Sequence, residues 1–79
     1  MRQRSWEYNQ LLEVLAKARD KAGITKRELS RMLERPHSYI AKIESSERRL
    51  DVIEFIEIAR ALRVDPKVLL AAVLEATEM

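Results

Sequence analysis

The side chains of this chain with most to offer chemically lie close together. His37 and Ser38 are neighbours, Tyr39 follows, Lys42 comes one helical turn later, and Lys26, Arg27, Arg31, Arg35, Arg48 and Arg49 flank them. A neutral imidazole can donate or accept a hydrogen bond, a hydroxyl can do both, an ammonium presents three donors and a guanidinium a planar fork of five. Catalysis is a poor use for this set. His37 is the only histidine, and consecutive positions on a helix do not face one another, so His37 and Ser38 make no catalytic dyad. The single glycine, Gly23, rules out a glycine-rich phosphate loop. One histidine with no cysteine provides no structural zinc site. No catalytic residue, cofactor or metal is therefore expected, and recognition of an external surface is the chemistry that remains.

Such residues need a frame. Thr25 followed three positions later by Glu28 is a capping box that opens a helix, with Leu29, Met32 and Leu33 on its apolar face. Pro36 has no amide hydrogen and biases Arg35 away from the helical region, so this helix should stop near residue 33 or 34. Pro36 also suits the first position of a second helix running to about residue 44. The apolar seam of that helix is only Ile40 and Ile43, which leaves His37, Ser38, Tyr39, Ala41 and Lys42 on its open side. A helix this short with so little to bury must be held by a scaffold.

The remainder reads as that scaffold. A first helix over about 5–22 is capped by Ser5 and carries the stripe Tyr8, Leu11, Leu12, Leu15, Ala18 and Ala22, with Gly23 at its C-terminal end. Arg19 falls at the edge of that stripe, where an ion pair is expected, and Trp6 is read as a packing or interface residue. Residues 45–52, SSERRLDV, form a loop. Asp51 caps a helix over about 52–62 that should bury Val52, Phe55, Ile56, Ala59 and Leu62. Asp65 and Pro66 open a fifth helix to about residue 77, in which the residues from Val68 to Ala76 leave almost no polar face. That surplus either meets a second copy of the chain or completes the monomer's core. No alternating pattern appears, so residues 1–79 are expected to form one all-α domain with helices over about 5–22, 26–33, 37–44, 52–62 and 66–77.

The net charge of +2 says little, but its distribution is uneven. Residues 24–50 hold seven cationic against four anionic side chains, whereas 51–79 hold three against six. Excess positive charge thus gathers around the two short helices, as a phosphate-facing surface requires. The absence of cysteine fits a reducing, cytoplasmic setting. No apolar run approaches the length needed to span a bilayer, and Arg2 and Arg4 precede no apolar signal core, so no membrane association is expected.

The pattern A-G-I-T-K-x-E-L-S-x-x-L, then P-x-S-Y-I-x-K-I-E, then E-R-R-L-D-V-I-E-F-x-x-I-A-x-A-L-x-V-D-P resembles the helix-turn-helix repressors of the lambda repressor and Cro type, the XRE family, over about residues 9–70. The resemblance implies a five-helix lambda-repressor-like domain with the helix-turn-helix formed by the second and third helices. It also implies a homodimeric transcriptional repressor that reads an inverted repeat in double-stranded DNA through the major groove. Carried over position by position, His37, Ser38 and Lys42 face bases, and Tyr39 faces a base or a phosphate. Lys26, Arg27, Arg35, Arg48 and Arg49 face the DNA backbone. Arg19 and Glu44 match a structural salt bridge, and the surplus apolar face of the fifth helix makes Leu70, Val73 and Leu74 the expected dimer interface. Glu34 and Ser46 stand where the family favours glycine, which points to positive φ at both. Lys26 and His37 stand where glutamine is common. The alternative is a protein-interaction module, such as an antitoxin or adaptor, that uses the apolar fifth helix to hold a partner protein.

Overall fold

In the computed structural model, residues 6–78 are described. Arg2, Arg4 and the expected cap Ser5 lie outside the described residues. Five helices follow one another: α1 (Trp6–Lys21), α2 (Lys26–Met32), α3 (Tyr39–Glu44), α4 (Val52–Ala61) and α5 (Pro66–Ala76), with no strand among the described residues. None of these helices is long and apolar enough to cross a membrane.

The helix starts follow from local chemistry. Thr25 Oγ1 accepts from the Glu28 amide at 3.0 Å and Glu28 Oε1 accepts from the Thr25 amide at 2.9 Å, which completes the expected capping box. Those hydrogen bonds to Thr25 hold the Glu28 carboxyl below its usual range. A second capping box joins Asp51 and Glu54 at 2.8 and 3.0 Å, and Asp65 accepts from the Lys67 amide at 2.9 Å behind Pro66.

The ends of the first four helices share one device. After α1, Gly23 (φ +73°) sits left-handed, the Ile24 amide donates to Arg19 O and the Gly23 amide donates to Asp20 O, a Schellman motif. The same pair of bonds closes α2 at Glu34 (φ 58°), α3 at Ser46 (φ 70°) and α4 at Arg63 (φ 61°). Glu34 and Ser46 were expected to be left-handed; Arg63 was not.

Residues from all five helices meet in one core, with Leu12 and Leu15 facing Leu29, Ile40, Ile43, Phe55, Ile58, Ala59, Leu62 and Leu69. Helix α5 packs on α1 and α4, and α2 packs on α3. Several sequence expectations need correction. Met32 is exposed because the buried face of α2 turns through Leu29 and Ser30 instead. Ala22 lies past the end of α1 and is exposed. On α4, Val52 is 70% exposed and Ile58 takes the buried place, since the inward face runs through Phe55, Ile58, Ala59 and Leu62. Trp6 is 46% exposed and lies outside the core, which removes the packing half of its reading and leaves the interface half. Pro36 is not the first residue of α3: the Tyr39 amide bonds to Pro36 O at 2.9 Å in a turn, and the helix proper begins after Ser38.

Candidate nucleic-acid interface

Helix α3 is fixed from beneath. Ile40 and Ile43 are each 2% exposed, and the buried Ser30 hydroxyl accepts from the Ile40 amide at 3.1 Å while donating to Lys26 O at 2.9 Å. One small side chain therefore bridges α2 and α3. The opposite side is open. His37 and Lys42 are exposed, Ser38 is half-buried, and the Ser38 side chain makes no capping bond, so its hydroxyl stays available.

Two charged clasps hold this unit in place. Arg19 Nε donates to Glu44 Oε2 at 2.7 Å, Nη2 reaches Oε1 at 3.2 Å, and Nη1 donates to Ile24 O at 2.8 Å, so the expected pair ties α1 to the end of α3. Its side chains are only 12% and 14% exposed, and the hydrogen bond to Glu44 raises the Arg19 pKa above its usual value. The second clasp was not foreseen. Arg48 meets Glu54 bidentately at 3.0 and 2.7 Å, with Arg35 contributing longer contacts to Glu54 (3.8 Å) and Glu57 (3.5 Å). Hydrogen bonds from Arg48 and from the Asp51 amide hold the Glu54 carboxyl well below the usual range, at about 2. The bond to Glu54 correspondingly raises Arg48. Asp51 and Glu54 stand three residues apart, so this capping box was legible in the sequence; its sharing with Arg48 was not.

Tyr39 is corrected from the open side of α3 to its buried side. It is 5% exposed, and the Arg35 and Arg48 guanidiniums lie 4.8 and 5.0 Å from its ring centroid. Burial raises its pKa first, and the Glu54 charge second. Its hydroxyl makes no hydrogen bond to a described residue. Of the expected backbone-facing residues, Lys26 and Arg27 are exposed and form no ion pair among the described residues. Arg49 lies 4.3 Å over the Tyr8 ring, and the Tyr8 hydroxyl accepts from the Leu50 amide at 3.1 Å. Far from this surface, Leu70 and Leu74 of α5 are exposed, but Val73 is buried within the chain and is corrected from interface to core.

With this geometry in view, a family model described as helix-turn-helix matches residues 15–69, more than half of the chain. The chain belongs to the helix-turn-helix family. Within it, the XRE type is indicated by an XRE-family like protein from Pseudomonas syringae pv. tomato, 46% identical over 91% of this chain and 88% of that one, with a TM-score of 0.85. The same helix-turn-helix fold, at lower identity, is found in the restriction-modification controller protein C.Esp1396I (24% identity, 91% and 95% coverage, TM-score 0.82). It recurs in the clp gene regulator ClgR from C. glutamicum (17% identity, 96% and 99% coverage, TM-score 0.81). No curated protein sequence gives a significant match. The five-helix, all-α architecture and the membership in a family of DNA-binding transcription regulators agree with the resemblance drawn from the sequence.

Proposed function

We propose that this helix-turn-helix protein is a homodimeric repressor that reads an inverted repeat through the DNA major groove, a binding protein and not an enzyme. The observation that carries the reading is the division of labour at α3: Ile40 and Ile43 fix the helix in the core, while His37 and Lys42 stand exposed at its outer side. In the groove, Lys42 donates to the O6/N7 edge of guanine, and His37 and Ser38 donate or accept at neighbouring base edges. Tyr39, buried as a ring, has a hydroxyl without a partner among the described residues for a phosphate or base at its edge. Lys26, Arg27 and Arg49 take backbone phosphates, while Arg35 and Arg48 reach phosphates from positions set by their carboxylate partners.

Dimerisation is supported by apolar surface that α5 and the start of α4 leave uncovered: Leu70 and Leu74, continuous with a cleft lined by Val52, Phe55, Ile56 and Pro66. A two-fold axis through this face presents two copies of α3 to two half-sites of opposite orientation. The test is selection of bound sequences from a random duplex pool, followed by titration of two variants. An inverted repeat with half-sites about one helical turn apart is expected. Lys42→Ala should relax base preference, and Lys26→Ala should weaken every sequence alike. Recovery of no preferred sequence, or a purified chain that sediments as a stable monomer, would turn the reading towards an adaptor or antitoxin whose apolar face binds another protein.

A further inference from the structure

Among the described arginines, Arg19, Arg35 and Arg48 each pair with a carboxylate, whereas Arg27, Arg31, Arg49, Arg60 and Arg63 form no ion pair among the described residues. Arg27 and Arg31 stand four residues apart on α2, and with Arg35, His37 and Glu34 they line one open concavity of about 340 Å³ between α2 and the turn into α3. Three guanidiniums, one of them already paired with Glu54 and Glu57, and an imidazole thus line a notch whose one lining carboxylate is Glu34.

The fold accounts for part of this arrangement, since Arg35 pairs with Glu54 and Glu57 and the charge of Arg31 acts on Glu28 three residues before it, but Arg27 has no ion pair among the described residues. Like charges one turn apart on a helix repel. The helix dipole favours a cation at Arg31, in the last turn of α2, but opposes one at Arg27, in the first turn. Neither side chain is buried against apolar surface in a way that would stabilise the helix. A second anion from outside resolves the repulsion, and guanidiniums suit tetrahedral oxyanions because their paired N–H groups match two oxygens at once.

We propose that this notch seats one phosphate of the duplex backbone, and that Arg31 is a phosphate-binding residue. The proposal rests on the DNA-binding reading and deepens it. His37 lines the notch and also flanks the base-facing side of α3, so a phosphate seated there fixes the register in which His37 and Lys42 meet the bases. Arg31 thereby contributes affinity without contributing sequence preference.

The test uses the full chain and its selected duplex, and compares the parent with Arg31→Ala, Arg31→Lys and Arg60→Ala; Arg60 is an exposed α4 arginine whose removal changes net charge equally. For each notch lost, Arg31→Ala should flatten the slope of log affinity against log salt by about 0.9 and weaken binding about eightfold at about 0.1 M salt, by the same factor on selected and random duplexes. Arg31→Lys should keep the slope and recover part of the affinity. Arg60→Ala should leave the slope unchanged. Equal slopes for the parent and Arg31→Ala would overturn the notch while leaving DNA binding intact. So would a loss confined to the selected sequence, an equal loss in Arg60→Ala, or saturable binding of inorganic phosphate to a notch whose Arg31→Ala variant still binds DNA normally. A parent chain that binds no duplex at all would overturn this proposal together with the reading beneath it.

Discussion

Helix α3 gives Tyr39, Ile40 and Ile43 to the interior and leaves His37, just before it, and Lys42 in solvent, whereas α5 gives Leu69 and Val73 and leaves Val68, Leu70 and Leu74 uncovered. The two helices are anchored by similar means, a few residues on one narrow face, and their remaining surfaces are of opposite character. The polar surface of α3 is surrounded by charged clasps, Arg19 with Glu44 and Arg48 with Glu54, which fix its position without covering it. No ion pair ties down α5 among the described residues. The hydrogen-bonding role proposed for α3 requires a rigidly held surface, because small misplacements forfeit directional bonds. The association proposed for α5 is apolar and tolerates some repacking, which fits the absence of such clasps there.

The most severe way to break the comparison is to remove an anchor of α3. Ile43→Ala should cost about 2–5 kcal/mol of unfolding free energy, since it leaves a cavity where Leu29, Ile40 and Ile43 meet in the core. Urea unfolding followed by circular dichroism measures it. A loss below about 1 kcal/mol would mean that α3 is held chiefly by its clasps. On the other side, Leu70→Glu with Leu74→Glu should leave the monomer folded, because both side chains are already in solvent, and should weaken self-association by about 100-fold, about 2.7 kcal/mol. Sedimentation equilibrium reads the shift; unchanged association would move the interface elsewhere.

These outcomes also bear on what the sequence could reveal. Helix starts were legible because a cap and its partner are local: Thr25 with Glu28, and Asp65 with Pro66, are readable three residues at a time. An ion pair at Arg19 was legible from its place at the edge of the first helix's stripe, but its partner Glu44 only through the family pattern, because the two are 25 residues apart in the chain. Tyr39 is not legible as buried in the sequence because its ring carries a polar hydroxyl, and because the two arginines that cover that ring come from loops on either side. Val52 and Val73 were exchanged between surface and core for a different reason: on helices with apolar residues at most positions, periodicity does not fix which face turns inward. The notch is not legible in the sequence, because Arg27, Arg31, Arg35 and His37 converge only once the turn at Glu34 is made.

Acid sharpens the contrast. The Glu54 carboxyl is held at about 2 in the folded chain, below its ordinary value of 4.5, chiefly by its hydrogen bonds from Arg48 and the Asp51 amide. A depressed carboxyl pKa contributes stability that is fully present above the unfolded value and is lost as pH falls from about 4.5 through about 2. Hydrogen exchange in that window should show the start of α4 and the residues around α3 losing protection before α5. Glu54→Gln, which cannot titrate, should be less stable than the parent at neutral pH and should show a flatter decline in acid. Equal protection loss in α3 and α5 would deny the clasps their unequal placement.

The smallest effect separates the fold from its site. Glu34 and Ser46 both hold left-handed backbone at helix ends on either side of α3, and glycine at either position relieves strain while adding freedom to the unfolded chain. Relief of about 1–2 kcal/mol against an entropic cost of about 0.5–1 kcal/mol predicts a net gain of a few tenths to about 1 kcal/mol for Ser46→Gly, seen as a raised urea midpoint. Glu34→Gly should gain about as much by the same route, and it also removes the one carboxylate of the arginine notch. The two variants should therefore match in stability and differ in binding: Glu34→Gly should hold duplex DNA more tightly with a steeper salt dependence, and Ser46→Gly should leave both unchanged. Equal binding by the two would show that Glu34 serves only the turn and that the notch lies apart from the DNA.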